Sequence, residues 1–447
     1  MVDWIFDTNE WEIWKLGWVQ ESYGWFRVYA FTMTTGVIVA IAFSAFKFWR
    51  KELQITHLGI GAVPIVIFSL FGGSFFGKLN TGGYDQNTFG GIMSLFAFWQ
   101  PGMSIHGGVF VGSFVGIIIF YLMGRKSKVS VWTYMDAIIP NILLGQGIGR
   151  WGNFFNHEIT GPPIALASEN KLWWLPNFIT QNTQALYKGQ TGSVINGITL
   201  ENGQLYQLNP IFVYEAFWLT FAWVVITFVL PNILKWFGKK PENINMSKLT
   251  LQLKEEYFSS FVPSNLELPF TGYRTWKFNR VFTQNISKYG IDNYHKTKAD
   301  LDAKRQNKEI SFIKYRWKVG KSLEEANNPY RFKVMRVGAE AGAYFFAWNF
   351  VRFILELQRP SNHLFIQHNK PLSLTLIFLT ALVGIGMILF SQFVSPYLFR
   401  KPGYVFEKEY FKVIEVKSKK SKVKTSNKDN LKQEKAQEKL MKLKQKV

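Results

Sequence analysis

Apolar residues gather in runs of about 20, the length an α-helix needs to cross a bilayer. Seven such runs stand out: Val28 to Phe48, His57 to Gly77, Ile105 to Gly124, Val131 to Trp151, Pro210 to Leu230, Val337 to Leu357 and Leu372 to Phe393. They predict an all-α polytopic membrane protein with about seven transmembrane helices. The fourth run carries Asp136, Pro140, Asn141 and Gln146, and so belongs inside a bundle where these groups meet neighbours rather than lipid. Between the runs the charge alternates. Arg50 and Lys51 follow the first, Arg125, Lys126 and Lys128 follow the third, and basic stretches follow the fifth and seventh, whereas Asp3, Asp7, Glu10, Glu12 and Glu21 precede the first. By the positive-inside rule the N-terminus lies outside and the C-terminus in the cytoplasm.

The chain then divides into a membrane body with spans one to five over residues 1–231, a cytoplasmic insert over 232–336, spans six and seven over 337–400, and a tail over 401–447. Within the first part, residues 152–209 are rich in Gly, Asn, Pro and Trp. They predict a small extracytoplasmic head with short strands such as Ser193 to Leu200 and a turn at Gly203. The insert mixes Trp, Tyr and Phe with charge, a composition that can fold on its own.

Mean hydropathy near zero hides this division, because it averages apolar spans with strongly basic stretches. Of the net +22, nearly all sits in two places: 21 Lys/Arg against 10 Asp/Glu between Pro231 and Arg336, and 15 against 6 from Lys401 to Val447. Beside membrane spans such charge points to anionic membrane lipid as the partner of the insert and tail, and no nucleic acid is expected. The chain has no cysteine, which excludes disulfides, thiolate metal sites and an enzyme-bound thioester; no metal or cofactor is expected. The N-terminus has no basic n-region or cleavage site, so no removable signal peptide is expected and the first span serves as the insertion signal.

Candidate chemistry is densest in Gly149-Arg150-Trp151-Gly152-Asn153-Phe154-Phe155-Asn156-His157-Glu158, at the outer end of the fourth run. Arg150 alone could be an arginine snorkelling to the interface. Asn153, Asn156 and Glu158 beside it favour a site, since polar groups there must pair or bind something, and a guanidinium offers a planar fork to two phosphate oxygens. His106, followed by Gly107 and Gly108, opens the third run at the same level. It is either a structural histidine or a proton-transfer group, the twin glycines allowing close approach of backbone or lipid. In the sixth run Arg352, Glu356 and Arg359 share one helical face, either as an ion pair that fixes packing or as a site. With Tyr29 and Arg27 at the first run and Tyr214 and Glu215 at the fifth, polar residues from five runs collect at one depth, which predicts a site open to the outer leaflet.

These patches resemble the prolipoprotein diacylglyceryl transferases. Gly149 to Glu158 matches the family's Gly-Arg-x-Gly-Asn-Phe-x-Asn-x-Glu signature at every defined position, and Met103 to Gly108 is similar to its His-Gly-Gly segment. Asp136 with Pro140 matches the lead-in to the signature. Asn209-Pro210 through Tyr214-Glu215 resembles Pro-x-x-x-Tyr-Glu, Arg352-Phe353 with Glu356 and Arg359-Pro360 resembles Arg-Phe-x-x-Glu-x-x-Arg, and Arg27 with Tyr29 the Arg-x-Tyr of the first span. Three positions depart: Trp348, with Tyr344 a turn earlier, stands where a tyrosine is usual, Ser74 where an arginine is common, and Thr160 to Pro163 lacks a basic residue often found there. The insert and tail have no counterpart in typical members.

The resemblance implies transfer of a diacylglyceryl group from phosphatidylglycerol to the thiol of the lipobox cysteine in a prolipoprotein signal peptide. Deprotonating the thiol would fall to His106, with Glu158 or Tyr29 as weaker candidates, while Arg150 and Arg352 would clamp the phosphate. Asn153 would orient the headgroup, and Asn156, Gly107, Gly108, Tyr214, Glu215, Glu356 and Arg359 would line the substrate. Two other classes compete. A lipid or solute transporter or flippase would be expected to show internal repeats and polar residues at midplane, and a noncatalytic scaffold would act through the basic insert and tail alone.

Overall fold

The computed structural model describes residues 6–7, 9–51, 53–81, 88–100, 102–238, 288–327, 333–361, 364–366 and 368–400. Most of the insert, residues 239–287, and the whole expected tail, 401–447, lie outside the described residues. Three short strands, β1 (Trp11–Ile13), β2 (Ser22–Tyr23) and β3 (Phe26–Arg27), lead into α1 (Val28–Arg50), which is followed by α2 (Ile55–Thr81), α3 (Phe89–Ser94) and α4 (Ile105–Ser127). The fourth apolar run is two helices, α5 (Val131–Ile138) and α6 (Asn141–Phe155). Pro140 explains the break: it has no N–H to donate and its ring crowds the preceding turn.

After α6 come β4 (Pro163–Leu166), α7 (Asn177–Gln181), β5 (Gln184–Tyr187), β6 (Val194–Ile195), β7 (Ile198–Thr199) and β8 (Leu205–Leu208). Next is α8 (Ile211–Val224), which runs through a π turn at Val225–Val229 into α9 (Leu230–Trp236). The remaining helices are α10 (Lys288–Gln306), α11 (Phe312–Asn327), α12 (Ala339–Glu356), α13 (Lys370–Phe393) and α14 (Ser395–Leu398). Among the described residues, five helical stretches are long and apolar enough to cross a bilayer: Val28–Arg50, Ile55–Asn80, Ile105–Ser127, Ile211–Leu234 and Lys370–Phe393. The α5–α6 pair is broken, and α12 carries Glu340, Arg352 and Glu356. Both pack among the five. Large apolar side chains on the outside of the bundle, such as Ile38, Phe110, Phe114, Phe221 and Val383, are exposed, as lipid-facing residues would be.

Helices α1 and α6, α2 and α4, and α12 and α13 meet backbone to backbone at small residues. A side chain on Gly145 would sit 2.7 Å from the Gly36 carbonyl, and one on Gly384 2.7 Å from that of Gly342. In a medium without a hydrophobic drive between helices, such close contact is what holds them together. The main core joins Met135, Leu143, Leu219, Trp223, Ala341, Tyr344 and Trp348 from α5, α6, α8 and α12.

The head is a four-stranded antiparallel sheet in the order β1-β5-β8-β4. Its core is Trp11, Ala185, Tyr187, Leu200, Tyr206 and Leu208. The expected strand at Ser193 to Leu200 is instead the small hairpin β6–β7, because Asn196 (φ 54°) and Gly197 (φ 76°) form a left-handed two-residue turn. That β1 comes from the N-terminus, pairing Trp11 with Tyr187, is not apparent in a segment marked by its acidic residues. Gly161 donates to the Asn209 carbonyl at 2.7 Å, so the head closes just where α6 ends and α8 begins.

At the end bearing Arg50 and Arg125, α12 is held by charge. Asp136 accepts hydrogen bonds from the backbone N–H of Gly338 (2.8 Å) and Ala341 (2.9 Å), capping the helix start that its own sequence leaves without a side-chain cap. Lys47 of α1 pairs with Glu340 at 2.7 Å and donates to the Asp136 carbonyl at 3.3 Å. Asp136→Ala leaves two buried donors unmet and should cost about 1–3 kcal/mol or more, seen as a lowered thermal unfolding midpoint in detergent. Asp136→Asn, which keeps an acceptor, should lose less, and an unchanged midpoint for the alanine variant would show that the cap does not anchor α12.

Candidate active site

Three helices deliver charge to one point at the opposite end of the bundle. Glu215, in the second turn of α8, is 1% exposed. Its Oε1 accepts from Arg150 Nη2 of α6 at 2.8 Å and lies 3.8 Å from Arg352 Nη1 of α12, while its Oε2 accepts from Arg359 Nη2 at 2.8 Å. Glu356, fully buried, lies 2.9 Å from Arg352 Nε and 3.7 Å from Arg359 Nε through Oε2. These last pairs are close in distance but unaligned for hydrogen bonding. The Nε atoms of Arg150, Arg352 and Arg359 are buried without a hydrogen-bond partner among the described residues, as is Glu356 Oε2. The cluster therefore combines three guanidiniums, two carboxylates, one excess positive charge and three unmet N–H donors. Such a set has room for one further hydrogen-bond acceptor.

His106 reaches the same place from the first turn of α4, whose N-cap Ser104 accepts from Gly107 N at 3.4 Å. Its ring stacks on Trp348 (centroids 4.4 Å apart) and lies 4.3 Å from Phe365. Nε2 is buried with no hydrogen-bond partner among the described residues, and the charges it feels are those of Arg352, Glu215, Arg150 and Arg359. The tryptophan that replaces the usual tyrosine is thus one wall of the histidine's slot. Tyr344 is a turn deeper, fully buried, receiving a hydrogen bond from Gln146 at 3.5 Å. Gly107 and Gly108 face α2: a side chain on Gly107 would be 2.6 Å from the Gly72 carbonyl, one on Gly108 3.0 Å from that of Ser69. Their smallness sets how near α4, and hence His106, comes to the bundle.

The rest of the signature folds on itself. Asn153 Nδ2 donates to Glu158 Oε2 at 3.1 Å and Asn156 Nδ2 to Oε1 at 3.4 Å; Asn153 Oδ1 is buried and unpartnered. Glu158 is exposed, bound by amides and apart from the arginine cluster. Tyr29 lies over Gly152, whose added side chain would come within 2.8 Å of its ring, and feels the charges of both Arg150 and Glu158. Tyr214 turns to the head, stacking near Trp174 at 6.1 Å, and Arg27 is exposed on β3.

The sequence is also similar to known proteins. The sequence profile of the prolipoprotein diacylglyceryl transferase family matches residues 23–247, half of the chain. This chain belongs to the prolipoprotein diacylglyceryl transferase family. It is similar to curated proteins named phosphatidylglycerol–prolipoprotein diacylglyceryl transferase. The Oceanobacillus iheyensis protein is 34% identical over 196 residues, covering 42% of this chain and 58% of its own. The Mycoplasmoides gallisepticum protein is 30% identical over 230 residues, 46% and 58% of the two chains, and the Staphylococcus aureus protein 34% over 135 residues, 30% and 40%. The chain thus spans somewhat over half the length of the first two relatives. With its apolar helices, family membership makes it a multi-pass bacterial membrane protein. The match takes in the diacylglyceryl transferase signature, His106 and Glu215 but ends before Arg352, Glu356 and Arg359; the structure joins these to the matched part.

Four residues that motif reading does not single out belong to the site's surroundings. Asn349, a turn before Arg352, is fully buried with Oδ1 unpartnered, as is Gln146 Oε1 a turn before Arg150. Phe365 is held over His106 by Glu356, which accepts from its N–H, and by Asn80, which donates to its carbonyl at 2.9 Å. Lys78, 3% exposed, donates to the carbonyls of Ser94 and Ala97 at 2.5 and 2.8 Å. An amide inside an apolar run, or a lysine at the edge of one, is the signal for three of them.

His157, within the signature but outside the helices, is a strut. Its Nε2 meets Asn182 Oδ1 at 2.9 Å, while Asn182 donates to the Phe154 carbonyl at 3.0 Å. Burial holds its imidazole below the usual histidine range, against a smaller opposing effect of the Asn182 bond. Between that lowered value and about 6.5 the unfolded chain binds a proton the folded one does not. Stability should therefore fall as pH drops below about 6.5. The melting midpoint should decline from pH 7 to 5, with a shallower decline in His157→Gln; parallel profiles would assign the acid sensitivity elsewhere.

Proposed function

We propose that this chain transfers the diacylglyceryl group of phosphatidylglycerol to the thiol of the lipobox cysteine of prolipoproteins, the first step of bacterial lipoprotein maturation. The observation that carries the reading is the shared coordination of Glu215 by Arg150, Arg352 and Arg359, with an Nε–H of each left unmet. One excess positive charge matches a monoanionic phosphodiester, which would bring the cluster to neutrality. A zwitterionic headgroup would add a cation of its own. Glu215 holds the forks in the orientation that an oxyanion needs, so little reorganisation is left for the reaction.

In the reaction so assigned, the cysteine thiolate attacks the glyceryl carbon of the lipid. A C–S bond forms as the C–O bond to the phosphate breaks, and the electron pair leaves on glycerol-1-phosphate. His106 Nε2, buried and unpartnered beside the cluster, takes the thiol proton, since the thiolate is the nucleophile. Arg150 and Arg352 stabilise the departing phosphate and Asn153 orients the headgroup. Asn156, Gly107, Gly108, Tyr214, Glu215, Glu356 and Arg359 support the pocket wall. Tyr29, beside Gly152 and within reach of the Arg150 charge, and Glu158, bound by the amides of Asn153 and Asn156, are second in line as bases. We further assign α5–α6 and α12 as two more crossings, which makes seven, with the site and N-terminus outside and the insert and tail in the cytoplasm, where anionic lipid meets their lysines.

The test is purified protein with phosphatidylglycerol and a lipobox peptide, read as thioether peptide and released glycerol phosphate. Neither product would sink the assignment and favour a transporter or scaffold. Arg150→Lys should lose roughly 10²-fold or more, because an ammonium cannot reproduce the bidentate fork; near-normal transfer would discard the clamp. His106→Gln should lose roughly 10²–10⁴-fold, and an unaltered rate would move the base to Tyr29 or Glu158.

A further inference from the structure

The part of the insert that the structure describes is a helical hairpin clamped to the bundle. Helices α10 and α11 bury Tyr294, Leu301, Val319 and Leu323 between them. One side of α11 is pressed against the basic end of the last span: a side chain on Gly320 would run into the Tyr397 carbonyl, Trp317 stacks near Tyr397 at 4.8 Å, and Arg316 donates to the Leu398 carbonyl at 3.0 Å. Glu324 pairs with Arg336, just before α12, and with Arg400, just after α14, at 3.2 Å for the latter. Helix α11 therefore lies across the ends of two helices of the membrane body.

Its orientation follows from spacing. Ile313, Trp317, Gly320 and Glu324 are four, three and four residues apart, so they share a face. Gly320 and Glu324 use that face to touch the span ends. Ile313, two turns before Gly320, points the same way with nothing opposite it among the described residues: it is 69% exposed, and Trp317 39%. Phe312 beside it is 58% exposed, under the Arg305 guanidinium at 5.5 Å. Along the adjoining face Lys314, Lys318 and Lys321 form an exposed stripe broken only by Glu325. At the hairpin tip Lys308 adds charge against Glu309.

We infer that α11 is an interfacial helix, resting Ile313 and Trp317 among the headgroups of anionic phospholipid in the leaflet at the basic end of the bundle, with its lysines on the phosphates. An apolar edge flanked by lysine, fixed at the level where a span leaves the bilayer, fits a lipid surface. Phe312, Ile313 and Trp317 stand side by side and exposed, a contiguous apolar edge of the kind that marks an interaction surface. The proposal needs only the crossing of α13. It is independent of the transfer reaction.

Because the chain has no cysteine, Ile313→Cys provides a single site for an environment-sensitive fluorophore in the full-length protein. Lys296→Cys, on the exposed side of α10, provides a reference. In vesicles of phosphatidylcholine with phosphatidylglycerol, the label at 313 should emit to the blue of the label at 296. Nitroxide headgroup lipid should quench it several-fold more strongly. Removing phosphatidylglycerol, or combining Lys314→Ala, Lys318→Ala and Lys321→Ala, should weaken that quenching at least twofold. Two labels equally open to aqueous iodide would overturn the proposal, as would quenching indifferent to lipid charge, or protection of position 313 that requires added RNA or protein. None of these readings depends on turnover, so they stand apart from the fate of the proposed reaction.

Discussion

One carboxylate, Glu215, sits within reach of three guanidiniums, and the arrangement of the membrane body at that end follows from keeping this cluster viable. Guanidiniums buried among apolar helices are costly unless opposed, and opposing charges repay desolvation only when their geometry is fixed. Arg150 arrives on α6, Glu215 on α8, Arg352 and Glu356 on α12, and Arg359 from the turn after it. No two consecutive helices could supply this set. The cluster binds these helices together while leaving the Nε donors of its three arginines without a hydrogen-bond partner among the described residues.

Placing Arg352 correctly depends on the far end of its own helix. From Glu340 to Glu356 α12 rises roughly 24 Å, and it is tied at both ends. Lys47 and Asp136 hold the start, and Glu215 meets the side chains that emerge at the finish. A slip of α12 by one turn would break both sets at once. Asp136, part of the family's motif yet remote from the site, thereby acts as a positioning residue through helix register alone.

The apolar runs announce seven crossings, of which five are, among the described residues, helices long and apolar enough to cross a bilayer; the polar residues of the fourth run mark it as interior, but its break at Pro140 into two helices is not evident from them. Motif residues foretold the cluster at Arg150, Glu215 and Arg352, because charged side chains in apolar runs must find one another. What stayed hidden depends on contacts between distant segments. Nothing in Trp11 to Ile13 says that it completes the head sheet, and nothing in Phe365 says that it closes over His106. Nor could spacing tell that Asn153 and Asn156 would bind Glu158 rather than a ligand. The turn at Asn196-Gly197 was legible in principle, the dipeptide being a strong hairpin signal, but a run of β-formers around it read as one strand.

The connection between α9 and α12 starts and finishes at one end of the bundle, where a side chain on Gly238 would lie 3.6 Å from Lys333. It leaves the membrane body after Trp236 and returns before α12, where the basic loops cluster, while the arginine cluster lies at the other end of α12, the helix's full length away. The match to the family ends at residue 247, although the chain resumes the bundle beyond it. Between that connection and the arginine cluster, Asp136 and Lys47 hold the start of α12. As long as those contacts fix the helix, the connection feeding it can lengthen, fold into a hairpin and acquire a surface of its own without disturbing the site.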